Sequence, residues 1–451
     1  MVYLSRRDVL RGVASGLIST ALARVLKPKF AFAASSSAAA GQERFLVVIK
    51  LGGGMDVLGA VPFIGNTAAA AKINARRSYI SLSINPNTAT YLDLGMQLAF
   101  HPSFEPLFQL YQAGMMKVIY GYGNPTYPLR GGANVDGSHE YHQSVQAFGD
   151  TVFNGLSNGW LARAMEVFQL THQQVMGLGV PGGAEFRHSN PSYVPYAANS
   201  LNNLAYQPLL DQLGGVTETE KIITATKKIR QLHRGAHQGA AITEKIAVAL
   251  DQMDQAVAFF RPINTYAGLQ GSYTNSNLGG ALKGIGKCIA SFNGSGSNRI
   301  FFTSYNQAEW DTHQDQALQL ASNIGDLSSN LAALISDLRT TLGGSVWNRT
   351  TIITTSEFGR RIYSNGKAGT DHGTGGAAIA LGGSVRGVGR DKGLIINPSL
   401  ANAAWNTLEN VPVDVHFQNL FGESLEWLGL SRDLIYDPAK YDRVALNLLS
   451  A

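Results

Sequence analysis

Apolar positions along this chain fall into two kinds of run. Short continuous runs occur at Arg44–Leu51 (RFLVVIKL), Met116–Tyr120, Gln174–Val180, Arg299–Ser304, Thr350–Thr355 and Ala377–Leu381. They are apolar at consecutive rather than alternate positions, which is the pattern of strands covered on both faces. Between them the spacing turns helical over Glu218–Arg234, Thr243–Phe260 and Gln316–Leu342. The last of these opens near Asp315 and stops at Gly343-Gly344, a sensible C-terminal stop. Strands alternating with helices predict an α/β protein, a three-layer α/β/α sandwich on a mostly parallel central sheet. Residues 183–298 read as a helical insertion, with a polar Asn-rich loop, two helices and the Gly/Ser/Asn-rich stretch Gly294–Asn298. No internal repeat is visible.

Composition changes the picture mainly at the N-terminus. An apolar content of 45% against 15% charged residues provides for a large core and excludes a disordered chain. The net charge of +5 belongs to residues 1–33, where Arg6, Arg7, Arg11, Arg24, Lys27 and Lys29 face only Asp8. The remainder is near neutral, so the pI of 9.1 does not point to nucleic acid. Ser5-Arg6-Arg7-Asp8-Val9-Leu10-Arg11 resembles the twin-arginine export motif. The weakly apolar stretch Gly12–Leu26 and the small-x-small Ala31-Phe32-Ala33 follow it. This predicts an export signal over 1–33, a flexible leader over 34–43 and one domain over 44–451. The twin-arginine translocase is the expected partner, and the expected location is periplasmic or extracellular. The apolar stretch is too short and too interrupted for a permanent membrane span. The competing reading is an amphipathic N-terminal helix of a cytosolic protein. Cys288, the only cysteine, permits no intrachain disulfide.

Candidate chemistry gathers where the strands end. The first strand runs into Asp56, and the run at 299–304 leads to Asp311-Thr312-His313. The run at 350–355 leads to Ser356-Glu357-Phe358-Gly359-Arg360-Arg361 and then to Gly369-Thr370-Asp371-His372-Gly373. Open α/β sheets bind ligands outside the carboxyl ends of their strands, so these segments are expected to converge. Carboxylates and imidazoles without thiols suit a divalent cation. Plainer roles compete at each position. Asp56 would cap a turn, Asp371 would form one, and Asp311 and His313 would be a simple hydrogen-bonded pair. Arg360 would pair with Glu357 or Asp371, and Ser138 would cap a helix starting at Glu140 or orient His139. The pattern Gly155-Leu156-Ser157-Asn158-Gly159 matches a serine-hydrolase nucleophile elbow, but Asp150–Asn154 is too short and polar for the strand that motif requires.

Several motifs in order resemble the DUF1501 family. They are Leu51–Asp56 with Val61-Pro62, His101-Pro102 with Leu107, Gly114 and Val118, Ser138-His139, and Gly159-Trp160-Leu161-Ala162-Arg163. Asp311-Thr312-His313 with Gln316, Ser356–Arg360 and Gly369–Gly373 complete the set. The resemblance implies the alkaline phosphatase and sulfatase superfamily, and hence an alkaline-phosphatase-like fold. It implies a metal-dependent hydrolase of phosphate or sulfate esters with two metals and a serine nucleophile. Asp56, Asp371 and His372 would hold one ion beside the nucleophile Ser138, and Asp311 and His313 the second. Glu357 would be a further ligand or support one, and Arg360 or Arg361 would clamp non-bridging oxygens. The implied metal is Zn, with Mg, Mn or Ca as alternatives. The third ligand of the second ion is open between His416, His139 and His142. Two departures stand out. Only Thr312 separates Asp311 from His313, where superfamily enzymes place three residues, and Ser138 lacks the sulfatase signature. The alternative is a non-catalytic exported structural or surface-assembly protein that keeps the fold.

Overall fold

The computed structural model describes residues 43–64, 68–77, 91–95, 97–123, 158–180, 183–188, 193–201, 256–305, 310–385, 394–395, 405, 407–436, 438 and 442–450. The export signal, the leader except its buried last residue Glu43, the helix expected over Glu218–Arg234, residues 243–255 of the helix expected over Thr243–Phe260, Ser157, and Ser138, His139 and His142 lie outside these residues. Among the described residues thirteen strands are formed in chain order. They are β1 (Phe45–Leu51), β2 (Leu92–Gly95), β3 (Leu98–Phe100), β4 (Met116–Gly123), β5 (Val175–Leu178), β6 (Tyr196–Ala198) and β7 (Arg299–Tyr305). β8 (Thr350–Ser356), β9 (Gly359–Arg360), β10 (His372–Gly373), β11 (Gly376–Gly382), β12 (Leu394–Ile395) and β13 (Val415–His416) follow. Nine of them make one sheet in the order β12-β4-β11-β8-β1-β7-β5-β6, with β13 also paired to β4. β11 alone runs against both its neighbours. The fold is thus mixed α/β on a largely parallel sheet, as the continuous apolar runs predict.

Register aligns the ends of the central strands. Leu51 stands opposite Tyr305 on one side and Ser356 on the other, so β1, β7 and β8 finish level with one another. β11 begins at Gly376 beside Tyr122, near the carboxyl end of β4. Its antiparallel course returns residues 369–375 to the same rim. All the candidate segments that are described therefore meet there, and they do so because of strand direction and register.

Alternation along β1 divides the core into two halves. Phe45, Val47, Ile49 and Leu51 pack under the helices Glu105–Gln112, Asn277–Phe292 and Gln316–Ser336. Leu46 and Val48 face the helices Trp160–Phe168 and Phe417–Trp427. Both faces of the sheet are dry, which is why its strands read as unbroken apolar runs. Among the described residues no helix is long and apolar enough to cross a membrane.

Two expectations change in detail. The helix expected over 316–342 is α-helical only to Ser336, and Asp337–Thr341 continues it as a π turn. The buried Asp337 carboxylate there accepts from Gln270 N (2.7 Å), Gly271 N (3.0 Å), Tyr273 Oη (2.9 Å) and Thr341 Oγ1 (3.0 Å). The three long-range bonds, from residues 270–273, supply a reason for the wider turn. The segment read as an insertion, 183–298, is in its described parts woven into the core. β6 extends the sheet beside β5, and the helix Asn277–Phe292 buries Leu282, Ile285 and Ile289 against it.

Candidate metal centre

The loops beyond β7 and β9 are stitched together through their backbones. Thr370 N donates to Thr312 O (3.1 Å), Gln316 N to Ala368 O (3.0 Å) and Arg361 N to Asp371 O (3.0 Å). His372 stands opposite Arg360 in the short β9–β10 ladder. Gly369 makes this approach possible, because a Cβ there would lie 2.2 Å from the His313 carbonyl carbon. The glycines of Gly-Thr-Asp-His-Gly are thus spacing devices around the chemistry they flank.

Three donors meet at this seam. Asp311 Oδ1 lies 3.1 Å from His313 Nε2 and 3.0 Å from His372 Nε2, and the two imidazole nitrogens are 3.1 Å apart. Among the described residues these three form the group of acidic and imidazole donors close enough to share one cation. Ligand atoms about 2.0 Å from a tetrahedral ion are about 3.3 Å from one another, close to this triangle. Two Nε2 atoms in contact cannot both carry protons without repelling, whereas a cation between them satisfies both lone pairs. The His313 Nδ1 atom lies 3.2 Å from Asp371 Oδ1, so with a cation in the triangle the ring proton would sit on Nδ1 and the Nε2 lone pair would face the ion. That would be the carboxylate–histidine–metal arrangement, with Asp371 outside the triangle as orienter. Asn365 Nδ2 in turn donates to Asp371 Oδ1 (3.2 Å) and to His313 O (2.9 Å). Phe358 packs on the His372 ring at a centroid separation of 4.4 Å.

The electrostatics favour deprotonated acids here. Burial works against the Asp311 charge, but bonds from His313 and His372 and the Arg360 guanidinium hold this carboxyl far below the ordinary range. Burial likewise opposes Asp371, and Asn365 and His313 outweigh it to lower its pKa. The Asp311 hydrogen bond raises His313, whereas burial keeps His372 below the usual imidazole value.

The remaining candidates stand elsewhere. Asp56 is 1% exposed, and both its oxygens are held by Arg77, at 2.6 Å from Nη1 and 2.9 Å from Nη2. Gln316 Nε2 donates to the same carboxylate at 2.7 Å. Glu357 accepts from Gly53 N (2.7 Å) and lies 3.5 Å from Lys50 Nζ, which is 2.8 Å from Glu185. These acids are in buried ion pairs, away from the triangle. Arg360 pairs with Asp311, not with Glu357 or Asp371, and spends its other donors on the carbonyls of Gly53, Gly54, Trp310 and Thr370. It braces the loops and is 0% exposed, so its guanidinium does not face a substrate. Arg361 bonds to the Tyr363 hydroxyl and, at 3.4 Å, to His372 O; its Nη2 makes no bond among the described residues. His416 caps the helix Phe417–Trp427 by accepting from Gln418 N (3.2 Å), and burial pushes its pKa down to about 4. Residues that sequence reading missed include Arg77, Lys50, Glu185, Asn365 and the hydroxyls of Thr312 and Thr370. Thr312 and Thr370 are inside quoted motifs and so were findable, but Arg77 belongs to none.

No protein of curated function matches the chain. A family model described as a protein of unknown function, DUF1501, matches residues 82–438, a span that holds every member of the donor triangle, and the chain belongs to that family.

Proposed function

We propose that this chain is an exported, metal-dependent hydrolase-like protein of the alkaline phosphatase and sulfatase superfamily, acting on phosphate or sulfate esters. The observation that carries the reading is the triangle of Asp311, His313 and His372 with Asp371 behind it. Two imidazoles and one carboxylate suit zinc or a neighbouring transition ion better than Mg or Ca, which prefer all-oxygen sites. A bound ion would supply Lewis acidity at an ester oxygen. Asp311, His313 and His372 would hold it, Asp371 would fix the His313 tautomer, and Arg361, not Arg360, would meet an anionic ester oxygen. Ser138 keeps the nucleophile role that the family resemblance assigns it. The described residues support one ion rather than two, because Asp56 is paired with Arg77.

The test is metal content of the purified full chain, followed by turnover of aryl phosphate and sulfate esters. One transition ion per chain is expected, lost in His372→Ala, with ester hydrolysis that depends on the ion and falls in Ser138→Ala. A wild-type chain that binds no ion would sink the reading. A chain that binds one ion but turns over no ester favours the second reading, a non-catalytic exported protein. The engagement of Arg360 and Asp56 in internal pairs speaks for that alternative.

A further inference from the structure

The carboxylate expected to ligate a metal, Asp56, and the triangle are joined by a single side chain. Gln316 opens the helix Gln316–Ser336 and is 0% exposed. Its Nε2 donates to Asp56 Oδ2 at 2.7 Å. Its Oε1 accepts from Thr312 Oγ1 at 3.0 Å and from Thr370 Oγ1 at 2.5 Å. Thr312 stands between Asp311 and His313, and Thr370 immediately precedes Asp371-His372. On the far side of Asp56, Arg77 donates to Arg361 O (2.9 Å) and Ile362 O (2.7 Å). One buried chain of bonds thus ties the loops after β1, β7 and β9 to one another, and the Gln316 amide is its branch point.

We propose that Gln316 is a positioning residue for the metal centre, setting the separation between the loop that supplies Asp311 and His313 and the loop that supplies His372. An amide suits the place, because one end must donate to a carboxylate while the other accepts from two hydroxyls. A glutamate would accept both hydroxyls but would set an acidic oxygen against Asp56. An alanine would leave Asp56 without one donor and both hydroxyls without their acceptor. Through it, Asp56 acts on the metal from a distance, by holding the amide that holds the threonines. The proposal rests on the metal reading above and adds a residue that touches no ion.

The experiment uses the purified full chain with zinc alone as probe, its affinity read by competition with a chromophoric chelator. Gln316→Glu and Gln316→Ala are expected to weaken zinc binding about 10- to 100-fold, with one ion still bound at saturation, the scale of outer-shell substitutions at metal sites. Thr370→Val is expected to weaken it less, and combining it with Gln316→Ala to add less than the two separate losses. Asp337→Asn serves as the control, since it removes a buried anchor remote from the triangle. Unchanged affinity in both Gln316 variants overturns the proposal, as does an equal loss in Asp337→Asn at matched thermal stability. If Gln316→Ala does not fold, Thr370→Val decides: wild-type affinity there overturns the proposal. Wild-type chain that takes up no zinc fails the metal reading itself and carries this inference down with it, whereas wild-type uptake with unaffected variants fails the inference alone.

Discussion

Asp56 and Arg77 are a buried, doubly hydrogen-bonded pair, each side chain 1% exposed. Removing one member of such a pair strands the other in a low dielectric, at a cost of about 3–5 kcal/mol. Asp56→Ala is therefore expected to lower the unfolding free energy by that amount when metal-free protein is titrated with urea. A variant as stable as wild type but unable to bind zinc would return Asp56 to the ligand set. At this scale the sequence was legible where chemistry is contiguous. Asp311-Thr312-His313 and Asp371-His372 announce donors because acid and imidazole lie within two positions of each other. The partner of Asp56 was not legible, because Arg77 is 21 residues away and no local pattern links them. Arg360 shows the same limit. Its residue type suggested anion binding, and full burial among backbone carbonyls keeps it from that role.

At the scale of elements, the seam between residues 310–316 and 365–372 depends on a missing side chain. Gly369→Ala would press a methyl against the His313 backbone, where the gap is 2.2 Å. Forced overpacking costs about 1–3 kcal/mol, so thermal unfolding is expected at lower temperature, with zinc affinity reduced as the two loops part. Gly366→Ala, whose Cβ meets nothing within 4 Å, is the neutral control. Equal behaviour of the two variants would show that the close approach is not needed.

His416 gives the helix Phe417–Trp427 a pH-dependent cap. Its folded pKa of about 4 is below the unfolded value of 6.5, so on acidification the unfolded chain takes the proton first. The stability it contributes is complete above pH 6.5 and is lost as the pH falls towards 4, up to about 3 kcal/mol by linkage. His416→Asn keeps a good capping group without a titration. Its urea midpoint should fall less than that of wild type between pH 6.5 and 4. Parallel curves would remove His416 from the account. Six strands, β1, β4, β5, β7, β8 and β11, were readable to within a few residues because burial on both faces leaves a plain trace. The two- to four-residue strands β2, β3, β6, β9, β10, β12 and β13 and the π turn were not, since the strands are too short to show a period and the turn answers to bonds from residues 270–273.

For the molecule as a whole, a ligand that binds the folded state alone raises stability with the logarithm of its free concentration, by about 2.7 kcal/mol at a hundredfold over Kd. Zinc added to metal-stripped chain is expected to raise the thermal midpoint in that way and chelator to reverse it, while His313→Ala removes the response. A midpoint indifferent to zinc would mean that the triangle holds no ion. By itself the sequence determined that a largely parallel sheet would form and which residue types would crowd its carboxyl rim. Continuous apolar runs and donor-rich strand ends are local patterns that follow from burial and chain direction. Only the tertiary structure decided which donors meet. β11 runs against its neighbours and carries His372 back to Asp311 and His313, while Arg77 folds onto Asp56 and takes both its oxygens. Those pairings are set by distances between segments far apart along the chain, and a spacing of residues in sequence does not encode them.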